Sequence, residues 1–139
     1  MHWYFEALRK YAVFSGRSLR AEYWVFFVVN FVVYLAALFL DIMAGTFSKE
    51  MSLGLASGVY ALFVLLPSIA VSFRRLHDTN RSAWWLLLAI IPILGPLALF
   101  VIYCLEGTPG DNKYGADPSA EDIEPPALPE PPAPPPLEP

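Results

Sequence analysis

The residues that could do chemistry concentrate between Phe73 and Trp85, where Arg74, Arg75, His77, Asp78 and Arg81 precede Trp84 and Trp85. A second polar group lies upstream, with Arg17, Arg20 and Glu22 ahead of Trp24. Guanidinium groups bind phosphate and carboxylate through paired, charge-assisted hydrogen bonds. Five arginines, in the pairs Arg17/Arg20 and Arg74/Arg75 with Arg81, could therefore cradle an anionic lipid headgroup or a phosphorylated ligand. A plainer reading explains the same residues. Arginines at a cytoplasmic helix end set topology and reach for lipid phosphates, Asp78 or Glu22 neutralises a neighbour, and Trp24, Trp84 and Trp85 anchor the interface. His77 and Asp78 could act as base and acid, but neighbours on a helix point about 100° apart, which argues against a dyad. There is no G-x-S-x-G and no second carboxylate paired with Asp78, and His2 is the only other histidine. We therefore assign no catalytic residue, no metal-ligand set and no cofactor.

The elements that would position these groups are strongly apolar. Of 139 residues, 56 % are hydrophobic and 16 % charged, against about 25 % charged in soluble domains. Such a surplus is expected to face lipid. From about residue 24 to 44 the chain is nearly continuous apolar sequence, with Asn30 as its one amide and Asp41 near its end. It is longer and starts later than a secretory h-region, so it reads as an uncleaved span. A second span over 53–73 carries no charge and contains Pro67, which predicts a kink. A third apolar stretch, 83–105, holds Pro92, Gly95 and Pro96 near its middle. We expect a kinked crossing; a re-entrant hairpin turning at Leu94 and Gly95 is the alternative, with arms too short to span separately. Residues 3–14 place Trp3, Ala7, Tyr11 and Phe14 at helical spacing, which predicts an amphipathic helix, either lying at the interface or packed on the bundle's end.

The charge is distributed as a topology signal. Seven of the nine Lys and Arg fall in two blocks, Arg9 to Arg20 and Arg74 to Arg81, and eight of the thirteen acidic residues follow Leu105. With three crossings, the positive-inside rule places the N-terminus and the 74–82 loop in the cytoplasm and the tail in the periplasm. A nucleic-acid partner is not expected, since no basic face on a soluble fold is present. Residues 118–139 contain ten prolines and five acidic residues, a composition that cannot bury a core and predicts a disordered, polyproline-like tail beside a helical membrane domain over 1–117. The lone Cys104 excludes an internal disulfide.

Three stretches occur in order: Phe14 to Trp24 with Gly16, Arg17, Arg20 and Glu22; Arg74 to Asp78 with Arg81, Ser82, Trp84 and Trp85; and Gly107 to Gly115 with Pro109, Gly110 and Asn112. Together they resemble the bacterial inner-membrane family catalogued as domain of unknown function 805, the YhaH-type proteins, over roughly Trp3 to Pro118. Ala83 stands where such proteins often have glycine, and the family offers no counterpart for the proline-rich tail. The resemblance implies a small multi-pass inner-membrane protein without an established activity.

The expectation is thus an all-α membrane protein with three transmembrane helices, an N-terminal interfacial helix and a disordered tail. Its expected role is non-enzymatic, engaging anionic lipid, a second copy or another membrane protein through a cytoplasmic Arg/His/Asp/Trp face. A small oligomeric transporter component and a lipid-phosphate enzyme are the alternatives.

Overall fold

The computed structural model describes residues 2–120. Four α-helices and one 3-10 helix follow in order: α1 (His2–Arg9), α2 (Arg20–Ala44), α3 (Leu55–Asp78), the 3-10 helix Ala83–Ile90, and α4 (Leu94–Cys104). Of the expected tail over 118–139, residues 121–139 lie outside the described residues.

Two helices, α2 and α3, are long and apolar enough to cross a membrane. At about 1.5 Å per residue their 25 and 24 residues exceed the ~30 Å hydrocarbon core. Their outward faces carry Phe31, Val32, Phe39, Leu62 and Phe63, all exposed, which suits contact with acyl chains. The helices form an antiparallel pair joined at one end by a tight connection. Gly45 terminates α2 in the left-handed conformation, with φ 70°. No side chain of the Gly54 cap serves α3; Asp41 does so from the neighbouring helix. Its two carboxylate oxygens accept the N–H groups of Ala56 (2.9 Å) and Ser57 (2.8 Å), filling donors that a helix start leaves orphaned. Midway, Asn30 accepts the Tyr60 hydroxyl at 2.6 Å and donates to the Phe26 carbonyl, so the amide in the span serves helix pairing.

Pro67 lacks the N–H that would bond the Phe63 carbonyl. The Tyr11 hydroxyl donates to that freed carbonyl instead, pinning the segment after α1 to α3. Ala7 is fully buried, Tyr4 stacks on Phe26 with centroids 5.9 Å apart, and the Glu6–Lys10 pair (2.9 Å) faces outward. The apolar face of α1 is therefore used by α2 and α3, the bundle-packed form of the amphipathic helix.

The expected third crossing over 83–105 is not present. The 3-10 helix begins five residues after Asp78, and the segment's other end returns to the same place: the carbonyls of Tyr103 and Leu105 accept hydrogen bonds from Arg75. The segment is a hairpin, the backbone shape of the alternative reading. Its two arms, about 16 Å each at ~2.0 and ~1.5 Å per residue, reach roughly half the hydrocarbon core. Its tip is a γ-turn in which Leu94 N–H donates to the Pro92 carbonyl at 2.7 Å and Ile93 sits at φ 67° and ψ −60°. That conformation is rare and strained for a β-branched residue. The arms then pack so closely that a Cβ at Gly95 would overlap the Leu88 carbonyl. The described chain after α4, through Ala120, lies at the end of the bundle where Arg17 lies.

Gly95→Ala should force the arms apart and lower stability by about 1–3 kcal/mol, the usual cost of overpacking. Thermal denaturation in detergent reads this directly, and an unchanged midpoint would contradict the close arm contact.

Candidate functional site at the polar end of the bundle

The C-terminal turn of α3 places its polar residues among four other pieces of chain. Arg74, Arg75 and Asp78 are buried, as is Arg17 from the connection between α1 and α2. Burial of three guanidinium groups is costly unless each is paired and hydrogen-bonded. The structure meets that demand within the chain.

Asp78 is the shared acceptor. One carboxylate oxygen accepts the Arg17 Nε at 2.9 Å and the other accepts Arg75. Arg17 then donates to the carbonyls of Gly110 and Thr108, both at 2.6 Å. Arg75 donates to the carbonyls of Tyr103 (3.2 Å), Ser18 (3.4 Å) and Leu105. Arg74 pairs with Glu22 at 2.8 Å and donates to Lys10 and Val13 carbonyls. Its Nε has no partner among the described residues. Asp117, 3.9 Å from Arg17, balances the third positive charge. Its carboxyl is held below the usual range by the Ser119 and Gly110 N–H groups, with help from Arg17.

The turn-rich Gly107 to Gly115 segment forms a strap over this cluster, and it also completes α3. The last carbonyls of a helix have no intrahelical donors. Here Thr108 donates through its N–H (2.8 Å) and hydroxyl (2.9 Å) to the Asp78 carbonyl, and Asn112 donates to that of His77 at 3.0 Å. Gly107 passes so close to the Asp78 carboxylate that a Cβ would collide with it. His77 points away from Asp78. Its Nδ1 lies 3.2 Å from the Gly16 carbonyl and its ring stacks on Tyr114, with centroids 4.0 Å apart and planes within 6°.

The residues singled out from sequence thus divide into two groups. Arg17, Arg74, Arg75, Glu22 and Asp78 meet inside the fold. Arg74 and Asp78, one helical turn apart, do not pair; Asp78 pairs with Arg75 three residues earlier, and the helix ends before Arg81. Arg20 is exposed and Arg81 is half-buried, and neither joins the buried cluster. Arg20 makes only long contacts, 3.4 Å to the Cys104 carbonyl and 3.3 Å to Glu106, and opens on a cleft of about 550 Å³ between the start of α2 and the strap. Arg81 lies over the Trp85 ring at 5.7 Å, and Trp84 is exposed beside it. Trp24 packs edge-on against Phe100 of α4, holding the hairpin to α2. Sequence reasoning missed the strap's capping role and Asp41. Asp41 could have been found as the one acid inside the apolar run 24–44; the strap's targets could not.

Replacing Asp78 by Asn should cost about 3–5 kcal/mol, because two buried guanidinium groups lose one charge partner. Arg75→Lys should not rescue a neighbouring defect and should itself destabilise, since one ammonium cannot serve carbonyls on three sides. Denaturation midpoints of both variants test this; a wild-type midpoint for Asp78→Asn would show that the cluster contributes little.

A family described as "Protein of unknown function (DUF805)" matches residues 11–116. The chain is 46 % identical over 121 residues to inner membrane protein YhaH of Escherichia coli K12, covering 87 % of this chain and 99 % of that protein. It is 42 % identical over 118 residues to inner membrane protein YhaI of the same strain, covering 85 % and 96 %. The uncharacterized protein YiiR is 33 % identical over 130 residues, covering 75 % and 84 %. No solved structure matches the chain. The matched region contains α2, α3, the hairpin, the arginine cluster and the strap, and the chain belongs to the DUF805 family of bacterial inner-membrane proteins.

Proposed function

We propose that this protein is a non-enzymatic membrane-interaction protein whose polar end faces the cytoplasm and engages anionic lipid headgroups through Arg20 and Arg81. The carrying observation is the division among the five arginines. Arg17, Arg74 and Arg75 are buried against Glu22, Asp78 and Asp117, while Arg20 is exposed beside the exposed Glu106 and Arg81 is half-buried over Trp85 with no carboxylate against it among the described residues. A guanidinium beside tryptophan at a helix end suits the headgroup layer, where the ring sits among glycerol groups and the cation meets phosphate.

Orientation rests on charge. With the hairpin returning to its starting end, Lys113 joins the N-terminal segment and the Arg-rich turn. Eight of the nine Lys and Arg then lie at one end, and only Lys49 lies at the other. A bias that large favours the polar end in the cytoplasm. The separate directions of His77 and Asp78 support a binding role over acid–base chemistry.

Mass spectrometry of the protein in native lipid discs should find anionic lipid enriched several-fold over bulk, and Arg20→Glu combined with Arg81→Glu should abolish the enrichment. Bulk lipid around the wild type would overturn the lipid reading, and a stoichiometric protein partner in its place would make the face a protein-docking surface. Reporters fused at the two termini should both be active in the cytoplasm; a periplasmic signal from either would overturn the orientation.

A further inference from the structure

The two halves of the bundle differ in cross-section, and this asymmetry does not depend on which lipid Arg20 meets. In the half nearest the arginine cluster, five elements pack together. The apolar core consists of Ala7 from α1, Tyr23 and Phe26 from α2, Val71 and Leu76 from α3, and Leu99, Ile102 and Tyr103 from α4, with Leu86 and Leu88 of the 3-10 helix against it. In the other half α2, α3 and their connection remain, with Tyr11 reaching Phe63 from the segment after α1. The exposed side chains there, Phe31, Leu35 and Phe39 on one helix and Val59 and Leu62 on the other, have no third element over them.

The length of the hairpin makes this a difference between leaflets. Arms of about 16 Å end near the middle of a ~30 Å hydrocarbon core. The tip is apolar, with Ile93 82 % and Leu94 68 % exposed, so it is suited to the bilayer midplane and not to water. On the flank of the hairpin, Trp84, Leu87 and Ile90 are exposed and add width within the same leaflet. The segment thus displaces acyl chains in one leaflet only.

We propose that the protein is a one-leaflet wedge, and that its further partner is a lipid surface curved so that the leaflet holding the arginine end is convex. Inserting extra cross-section into one leaflet is favoured where the headgroups of that leaflet are already spread, which is why shallow apolar insertions depend on curvature. The ion cluster supplies the rigidity this requires. Arg75 ties the hairpin's return to α3, so the arms cannot swing out to become a crossing without stripping a buried guanidinium of its acceptors.

The full chain, reconstituted by detergent removal into a mixture of small and large vesicles of neutral phosphatidylcholine, tests the wedge without involving anionic lipid. The expected result is a several-fold higher protein-to-lipid ratio in the small vesicles, with the arginine end outward. Orientation is read with an impermeant thiol reagent on Lys113→Cys in a Cys104→Ser background, since Lys113 is exposed on the strap. Combined Trp84→Ala, Leu87→Ala and Ile90→Ala, which trims exposed width and leaves the core intact, should reduce the enrichment at least by half. Equal density in both vesicle sizes, random orientation in the small ones, or full enrichment by the trimmed variant would each overturn the proposal. The lipid-disc measurement stands apart from this one, so either reading can fail alone.

Discussion

The fold depends on one carboxylate. Asp78 ends the second spanning helix and holds Arg17 and Arg75 in a buried cluster, and through those two forks it reaches four carbonyl groups on the strap and at the end of α4. A buried guanidinium in a low-dielectric setting must find an acceptor for nearly every donor. Where side-chain acceptors are few, backbone carbonyls must be brought in, and each one brought in fixes a piece of chain. The charge requirement of three arginines is thereby converted into tertiary structure.

The same logic explains the location of the cluster. The last carbonyls of α3 need donors, and the strap supplies them through Thr108 and Asn112 while its own carbonyls receive Arg17. Donors and acceptors are exchanged between a helix end and a loop, so neither depends on solvent. At the opposite end, Asp41 performs the related task for the start of α3. Both ends of one spanning helix are completed by polar groups from elsewhere in the chain. The Pro67 gap is filled in the same manner by Tyr11. Within a bilayer no water stands ready to fill such vacancies, and an unmade hydrogen bond there is costly.

The hairpin follows from two local features and one distant one. The γ-turn at Ile93 and the close arm contact at Gly95 allow the chain to reverse. Arg75 then holds the returning strand of chain at the starting end. A kinked crossing would place Tyr103 and Leu105 on the far side of the membrane and leave this guanidinium without two of its acceptors. The strain at the tip is offset by completing the cluster.

Much of the architecture is legible in the amino-acid order because it is written in short-range terms. Long runs with few charges mark α2 and α3 as long and apolar enough to cross a membrane, prolines mark the interruptions, and the helical spacing of Trp3 and Ala7 marks α1 as one-sided. The three motif stretches determine the family. What tertiary structure decided is the fate of segments whose local pattern fits two outcomes. Hydropathy is the same for a crossing and for a hairpin of equal length, so 83–105 is settled by a contact between Arg75 and carbonyls about thirty residues away. Likewise a row of arginines carries the same charge whether turned to phosphate or buried on Asp78, and only the packing separates Arg20 and Arg81 from Arg17, Arg74 and Arg75. Local composition sets the energy of each group in water or lipid; the choice between them belongs to partners distant in sequence.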